Sequence, residues 1–528
     1  MHKKIGFTYP FWATISLLLI VCLVLPLLFL LIYVFKPEGQ AWQSIVEYDL
    51  FNQTANTLLL ILLVVPITVF LGTWFAWIVS AYEFRGRKIL SWALLLPLTF
   101  PTYIMAFTQA QLFSYGGLFS KVSKMAGAEK AWHIDLLHLP GLVVVLSLSL
   151  YPYVYLPVKI ALRSGMGPYI EAARNLGKNN TNIFFKIALP LMRPAIAGGA
   201  FLVAMEVLND YGAVKYYGIS TLTTGIFSAW FASNDLVSAV RISFILLIIA
   251  LVTISAERYQ RRRKSYISAR RQKNLMRENP QQWKKFLYPL LIIIFLLFAF
   301  LVPISQLISD TIKNSHLFKS DNFGEMAFNS IGIALFGSVL VTSFAFLVLF
   351  GQRINNNLFL TVVSRSFAIG YALPGAVIAV SVMIISSMID NSLNTYLIGG
   401  SIIGLLFAFL VRFIAIGYNT LNSGFERQSK NIDKASLNLG ISPFNTLKKI
   451  NIPISYSVLM GSFLLCFVDM IKELPLTYIL RPFNFHTFST KAFDYASDEM
   501  LAKAALPSLC IVILGSLPLI LFNKSLEK

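Results

Sequence analysis

Apolar runs long enough to cross a bilayer recur about twelve times in this 528-residue chain, and nothing else in it restricts the fold as much. The hydrocarbon core is ~30 Å thick, which about 20 apolar helical residues span. In the first half the runs lie near 11–35, 54–81, 90–113, 140–162, 194–214 and 238–256. In the second they lie near 286–308, 329–350, 361–389, 397–421, 455–480 and 504–523. A bilayer offers no water to backbone N–H and C=O groups, so such segments form helices. The expected fold is all-α and polytopic, with about 12 transmembrane helices. Charged residues are 13% of the chain and hydrophobic ones 56%, whereas a soluble domain carries about 25% charged residues.

The formal charge of +20 does not point to nucleic acid, because most basic residues flank apolar runs on alternate sides, as the positive-inside rule requires. The densest block, 257–285, holds Arg258, Arg261, Arg262, Arg263, Lys264, Arg270, Arg271, Lys273, Arg277, Lys284 and Lys285. It reads as a cytoplasmic linker against anionic lipid heads between a first half, 1–256, and a second, 286–528. Both termini then fall in the cytoplasm, as does the turn at Arg85–Lys88, and the loops near 114–139, 215–237, 309–328 and 481–503 fall outside. Lys3 and Lys4 precede a first run too long for a signal peptide and without an A-x-A-like site after it, so it is expected to stay as an uncleaved helix. Cys22, Cys466 and Cys510 lie in apolar runs without pairing or metal-ligand spacing.

Between two of these runs sits a short polar stretch, EAARNLGKNNTNIFFKIALP, at Glu171–Pro190. Glu171, Ala172 and Ala173 open a helical pattern, and Gly177 stands where a short helix needs φ > 0. Asn179 is placed to cap a second short helix, and Pro190 is expected to mark a break before the next run. Small alanines on the leading face suit a helix that sinks into a groove on another protein. The pattern returns at one offset: Lys434, Ala435, Ser436, Asn438, Leu439, Gly440 and Pro453 fall on Glu171, Ala172, Ala173, Asn175, Leu176, Gly177 and Pro190. Ser442-Pro443, an N-cap followed by proline at the first helical position, falls on Asn179-Asn180. Earlier in the chain Asn56 and Pro101 match Asn329 and Pro374 at an offset of 273, against 263 for the loops and the residues after them. Repeats of the same polarity imply two six-helix halves about a pseudo-two-fold axis along the membrane normal, with a pathway between them.

This doubled loop resembles the EAA signature (EAA, then Gly, then LP) of the membrane subunits of ATP-binding cassette importers, and two copies in one chain resemble the fused permeases of the ferric-iron branch. The resemblance implies that the loops at 163–193 and 426–456 are coupling helices for two copies of a cytoplasmic ATPase subunit. The coupling residues would be Glu171, Ala172, Ala173 and Gly177 in one loop and Lys434, Ala435, Ser436 and Gly440 in the other. Lys434 and Ser436 depart from the family's glutamate and second alanine, which implies a weaker or different second contact. The stretches Leu208–Phe231 and Lys472–Pro507 also resemble the ferric-iron permeases. A periplasmic or lipid-anchored binding protein is implied as donor.

Four membrane acids stand out. Glu206 and Asp210 in MEVLNDYG are matched by Asp469 and Glu473 in VDMIKELP at the offset of 263. A spacing of four puts both acids of a pair on one face of a helix, and an ionisable residue in a span needs a cavity or a partner. Four carboxylates about one axis suit the transient passage of a hard, highly charged cation such as ferric iron. Lys472 is expected to pair with an acid across the interface. Asp210 and Glu473 also resemble an acidic position of many permeases of this class, sulfate and molybdate branches included, which implies gating or structure. That leaves Glu206 and Asp469 as the path residues.

His133 and His138, with Asp135 between them, have no standard metal spacing, and a solvated loop accounts for them. Tyr216 and Tyr217 lie where interfacial aromatics are expected in any case, and they suit contact with a docked binding protein or with a ferric ion in transit. Arg481, Pro482 and His486 occupy the equivalent outer region of the second half with the same alternatives. No GxxxxGK[ST] sequence occurs, so ATP belongs to a partner subunit, and no nucleophile–base constellation appears. The expected protein is a non-enzymatic, multi-pass permease of a bacterial inner membrane, taking in ferric iron by alternating access. Alternatives are a thiamine, putrescine or phosphonate importer, a secondary transporter with the acids as a proton relay, and a membrane enzyme or scaffold.

Overall fold

The computed structural model describes residues 10–128, 132–163, 166–262, 277–316, 322–355, 373–395, 398–426, 428–429 and 431–526. Lys3, Lys4, residues 361–372 of the ninth run, and Arg263, Lys264, Arg270, Arg271 and Lys273 of the linker lie outside these residues, as do the side chains of Cys22, Arg261 and Arg262.

The described chain is helical, with one isolated backbone bridge between Tyr82 and Glu278. Among the described residues, eleven helices are long and apolar enough to cross a membrane. The third expected run is not a straight span. Arg87–Thr99 and Thr102–Met125 meet at 98°, because Pro101 takes an extended conformation (ψ 146°) and starts the helix Thr102–Phe113. Counting that bent pair as one span gives twelve.

Neither compact unit is confined to one half of the chain. One comprises Gln43–Gly225, Ile248–Asp321 and Lys491–Lys528. Its centre is a junction of Leu50–Ala81, Pro152–Arg163 and Leu189–Asn209. Close approach is possible because two small residues face the middle helix. A Cβ on Gly72 would lie 2.7 Å from Val154 Cβ, and one on Gly199 2.7 Å from Val154 Cα. Tyr151 and Tyr155 fix the middle helix by donating to the Leu94 and Ser91 carbonyls at 2.6 and 2.7 Å. The first run of the second half, Gln282–Leu296 and onward to Lys313, belongs here. Gln109 Nε2 donates to the Phe298 carbonyl at 2.7 Å, and Phe295 packs on Phe75 and Tyr151.

The other unit comprises Met1–Trp42, Ile226–Leu247 and Asn322–Thr490. Its junction is Phe323–Asn355, Ile402–Glu426 and Ile452–Ile471. Here the glycine has moved to the middle helix. Gly417 occupies the position of Val154, and its neighbours Ala345 and Ser462 occupy those of Gly72 and Gly199. Pro10–Tyr33, from the first half, packs on this junction, with Trp12 edge-on to Phe350 and Ser16 against Gly351. The two halves therefore exchange their first helices.

Candidate functional site

The first EAA-type loop begins with the helix Gly167–Asn175 and stops at Gly177, whose φ is +74°. The Lys178 N–H returns to the Ala173 carbonyl at 3.1 Å and that of Gly177 to Arg174 at 2.9 Å, satisfying the last carbonyls in a Schellman-type stop. The second loop repeats this: Asn431–Asn438, Gly440 at φ +77°, Ile441 N–H to the Ser436 carbonyl at 3.2 Å. Ser442 is an N-cap with Pro443 behind it, its side chain accepting from Asn445 N–H. Asn179 occupies the N-cap position in extended conformation, and its side chain makes no capping bond.

Two expectations about these loops need correction. Pro190 does not break the chain: Asn180–Asn209 forms one apolar helical stretch of 30 residues. A widened turn at Phe184–Ala188 precedes the proline, and Leu447–Asn451 does the same before Pro453, a local adjustment that accommodates a residue without an N–H. Nor do the alanines share an outward face. Ala172 is exposed and Ala173 is buried within its own unit. Lys434 and Ala435 are exposed, while Ser436 is buried and shares a hydrogen bond of 2.8 Å with Thr446. Ala173 and the fully buried Ile183 hold the equivalent positions, so the serine substitution comes with a threonine to satisfy it. Leu176 and Leu439, beside the two glycines, are each 79% exposed.

The second loop is tied down by the buried Asp433, which pairs with Arg353 and accepts from Asn451 Nδ2 at 3.1 Å. Arg353 also donates to the carbonyls of Phe425 and Ser429.

The acids divide differently from the sequence expectation. Asp210 and Glu473 lie beyond the helices that carry Glu206 and Asp469, so neither pair shares one helix face. Asp210, at φ −69° and ψ 123°, turns its Oδ1 onto the N–H groups of Ala213 and Val214 at 3.0 and 3.1 Å. Glu473 turns Oε1 onto the Leu476 N–H at 3.1 Å. Each therefore satisfies the first turn of the next short helix, Gly212–Tyr216 or Pro475–Leu480. Glu473 is also paired with Arg412, Oε2 to Nη2 3.1 Å, the carboxylate buried and the guanidinium 12% exposed. The Asp210 carboxylate instead accepts from the Thr102 side chain. Gly375 stands at the place of Thr102, and a Cβ there would lie 2.2 Å from Arg412 Nη1.

Lys472 has an acid close at hand. It pairs with Asp469 on its own helix at 2.8 Å, three residues away. Glu206 is half-buried and receives a hydrogen bond of 3.4 Å from the Tyr153 hydroxyl. Within either unit, no group of three or more His, Cys, Asp or Glu converges among the described residues.

Past each acid a second paired feature appears. Thr-Leu-Thr-Thr at 221–224 and Thr-Phe-Ser-Thr at 487–490 form the same turn, with Thr221 N–H on Thr224 Oγ1 and Thr487 N–H on Thr490 Oγ1. Asn56 donates to the Ser220 carbonyl and Thr57 Oγ1 accepts from Leu222 N–H. Asn329 and Ser330 do likewise for His486 and Phe488. The remaining candidates have structural partners. His138 caps Leu139–Leu150 by accepting from Gly141 N–H, Asp135 accepts from Leu137 N–H, and His133 lies edge-on to Tyr115. Tyr217 is buried with its hydroxyl on the Ala106 carbonyl, Tyr216 lies near Phe107, and Arg481 meets His486 and the Tyr478 ring. Cys466 is buried and Cys510 half-buried, and both are free thiols.

Two stretches of the chain, 68–265 and 348–528, match the family described as binding-protein-dependent transport system inner membrane component. The chain belongs to that family. It is an all-α, multi-pass inner-membrane permease with two copies of the family domain, a transport subunit of an ATP-binding cassette importer that works with an ATPase and a substrate-binding protein. The permease is similar to the Fe(3+)-transport system permease protein FbpB 2 of Haemophilus influenzae, 27% identical over 98% of each chain. It is also similar to the sulfate transport system permease protein CysT of Escherichia coli, 30% identical over 38% of this chain and 71% of that one. A probable sulfate permease of Marchantia polymorpha is 27% identical over 36% of this chain and 65% of its own length. Arg412, Asp433, Arg353 and the paired threonine turns were not singled out from the sequence. A lone arginine inside the run IIGLLFAFLVRFIAIG and the recurrence of Thr-x-x-Thr were the available signals.

Proposed function

We propose that this permease carries ferric iron inward. The observation that carries this reading is the likeness to a Fe(3+) permease along 98% of both chains, where the sulfate permease of Escherichia coli is matched along 38% of this one. Carboxylates near the path also favour a hard cation over an oxyanion. A binding protein releases iron at the outer side, and two cytoplasmic ATPase subunits grip the loops around Glu171–Gly177 and Lys434–Gly440. Their ATP-driven approach opens the pathway outward and hydrolysis reverses it. The linker 257–285 and both termini are cytoplasmic in this reading, with the halves 1–256 and 286–528 as the two repeats.

Glu206 is the principal path residue, with Asp469 opposite in function. Asp210 and Glu473 hold the short helices that come after them. Weak, sequential ligation suits passage, since a tight site traps its ion. The test is uptake of radiolabelled ferric iron, sulfate and thiamine into proteoliposomes holding the permease, its ATPase and its binding protein. Wild type is compared with Glu206→Gln and with Glu206→Gln plus Asp469→Asn and Lys472→Met. Lys472 is removed together with Asp469 because a stranded ammonium would itself repel iron. Iron uptake lost in the variants while ATP turnover persists supports the reading; sulfate or thiamine uptake without iron sinks it.

A further inference from the structure

We propose that Glu278, at the end of the linker between the halves, is a positioning residue for the first EAA-type loop. Its backbone is stitched to the end of Leu50–Ala81: Glu278 N–H donates to the Ala81 carbonyl at 2.9 Å, and Glu83 N–H to the Glu278 carbonyl at 3.0 Å. Beside it, Glu83 holds Arg87 at 3.1 Å and Arg277 at 3.8 Å. The Glu278 carboxylate then reaches the loop itself. It accepts a hydrogen bond from Asn180 Nδ2 and lies 3.6 Å from Arg174 Nη2. One residue therefore joins the end of a long helix, the end of the coupling helix Gly167–Asn175, and the start of the next short helix.

The second loop makes the same connection without the linker. Arg353, in the last turn of Phe323–Asn355, binds Asp433 inside Asn431–Asn438. Arg353 falls on Ser80, and Asp433 falls on Ile170, so the first half lacks both partners. The linker end supplies the missing tie from outside the repeat. The two ties differ in stiffness. The Arg353 and Asp433 side chains are 6% and 5% exposed, whereas that of Glu278 is 46% exposed. A solvated ion pair is weaker and is screened by salt. The first loop is thus the more compliant of the two, and its placement depends on ionic strength.

The proposal rests on the reading that these loops receive the ATPase subunits. Full-length permease with its ATPase and iron-loaded binding protein is reconstituted as wild type, Glu278→Gln, Glu278→Ala, and the exchange Glu278→Arg with Arg174→Glu. Iron uptake per ATP hydrolysed is measured at low and high salt. Glu278→Ala lowers the ratio about two- to fivefold at low salt, the range of an exposed ion pair with one hydrogen bond, and the deficit shrinks at high salt. Glu278→Gln, which keeps the bond to Asn180, loses less, and the exchange restores part of the ratio. An unchanged ratio with uptake and ATP turnover falling together means a purely structural role and overturns the proposal, as does a failed exchange. Leu176→Asp and Leu439→Asp separate the two readings. If neither weakens binding of the ATPase subunit to the permease, the docking reading itself falls, whatever Glu278 does.

Discussion

The Arg412–Glu473 pair offers the sharpest test of how this frame is held. At 3.1 Å and an effective dielectric near 20, the attraction is about 5 kcal/mol. Removing one partner of a buried pair costs about 3–5 kcal/mol because the other charge is stranded. Arg412→Ser therefore destabilises by that order. Gly375→Thr alone also destabilises, since its Cβ would lie 2.2 Å from Arg412 Nη1 and 2.9 Å from Glu473 Oε1. Combined, the two substitutions copy the first half, where Ser149 and Thr102 hold these places and Thr102 donates to Asp210. A hydrogen bond to a charged acceptor returns about 1.5–3 kcal/mol, so the double variant is more stable than either single one. The assay is the apparent unfolding midpoint of purified permease at one fixed scan rate, because large proteins unfold irreversibly and the midpoint is then rate-dependent. If the effects simply add, within about 0.5 kcal/mol, the two pairs are not interchangeable solutions and the reasoning fails.

Three further outcomes rest on the same frame. Gly177, at φ +74° with nothing within 4 Å of where a Cβ would lie, loses about 1–2 kcal/mol on conversion to alanine through backbone strain alone; asparagine costs less, and ATPase-subunit affinity should rank Gly, Asn, Ala. Thr57→Val strands the Leu222 N–H at about 1–3 kcal/mol, which hydrogen exchange reads as faster opening of residues 221–224; equal exchange in Thr57→Val and wild type would show that the turn stands without its latch. Burial acts to raise the Asp235 carboxyl, but hydrogen bonds from Ser238, Ala41 and Val237 hold it below its ordinary value of 3.8. Its stabilisation is therefore full above that value and is lost as pH falls through the lower, folded one. Amide exchange of Ala41 should accelerate only in that acidic window, and acceleration near neutral pH would contradict the assignment.

How much of this was legible varies by the kind of signal. Gly177, Gly440 and Ser442 were readable because backbone conformation at a helix end is decided by local sterics and one side-chain bond. Most spans were readable from length and hydropathy alone; the third was not, because Pro101 turns the chain through 98°, and the start of the ninth lies outside the described residues. The acids were misread for a definite reason. A spacing of four implies one helix face only while the helix continues, and at Asp210 and Glu473 it has stopped. Each carboxylate finds a better use in the orphan N–H groups of the next turn. Lys472 also pairs with Asp469, one turn back, which the sequence reading did not single out. Glu278 and Arg353 were illegible in principle, because their partners lie 98 and 80 residues away.

Comparing the halves position by position separates substitutions that compensate one another from those that change a surface. Gly72, Val154 and Gly199 become Ala345, Gly417 and Ser462, and the helix junction keeps its close approach by moving the small residue. Ala173 and Ile183, both buried, become Ser436 and Thr446, which share a hydrogen bond of 2.8 Å. Ser436, a departure from the expected alanine, is therefore spent inside the fold. Lys434 is different. It is exposed at the position the half-buried Glu171 holds in the other loop, so the two loops differ there by a reversal of charge. Ser436→Ala should leave ATPase-subunit binding unchanged, with Thr446 Oγ1 still on the Ser442 carbonyl. Lys434→Glu should change that affinity by up to about fivefold, the range of a surface charge, with the difference fading as salt is raised past a Debye length of about 10 Å at 0.1 M. Titration of the ATPase subunit against both variants at two ionic strengths decides it. A larger effect from Ser436→Ala than from Lys434→Glu would mean that the buried face of the second loop, and not its exposed one, sets the contact.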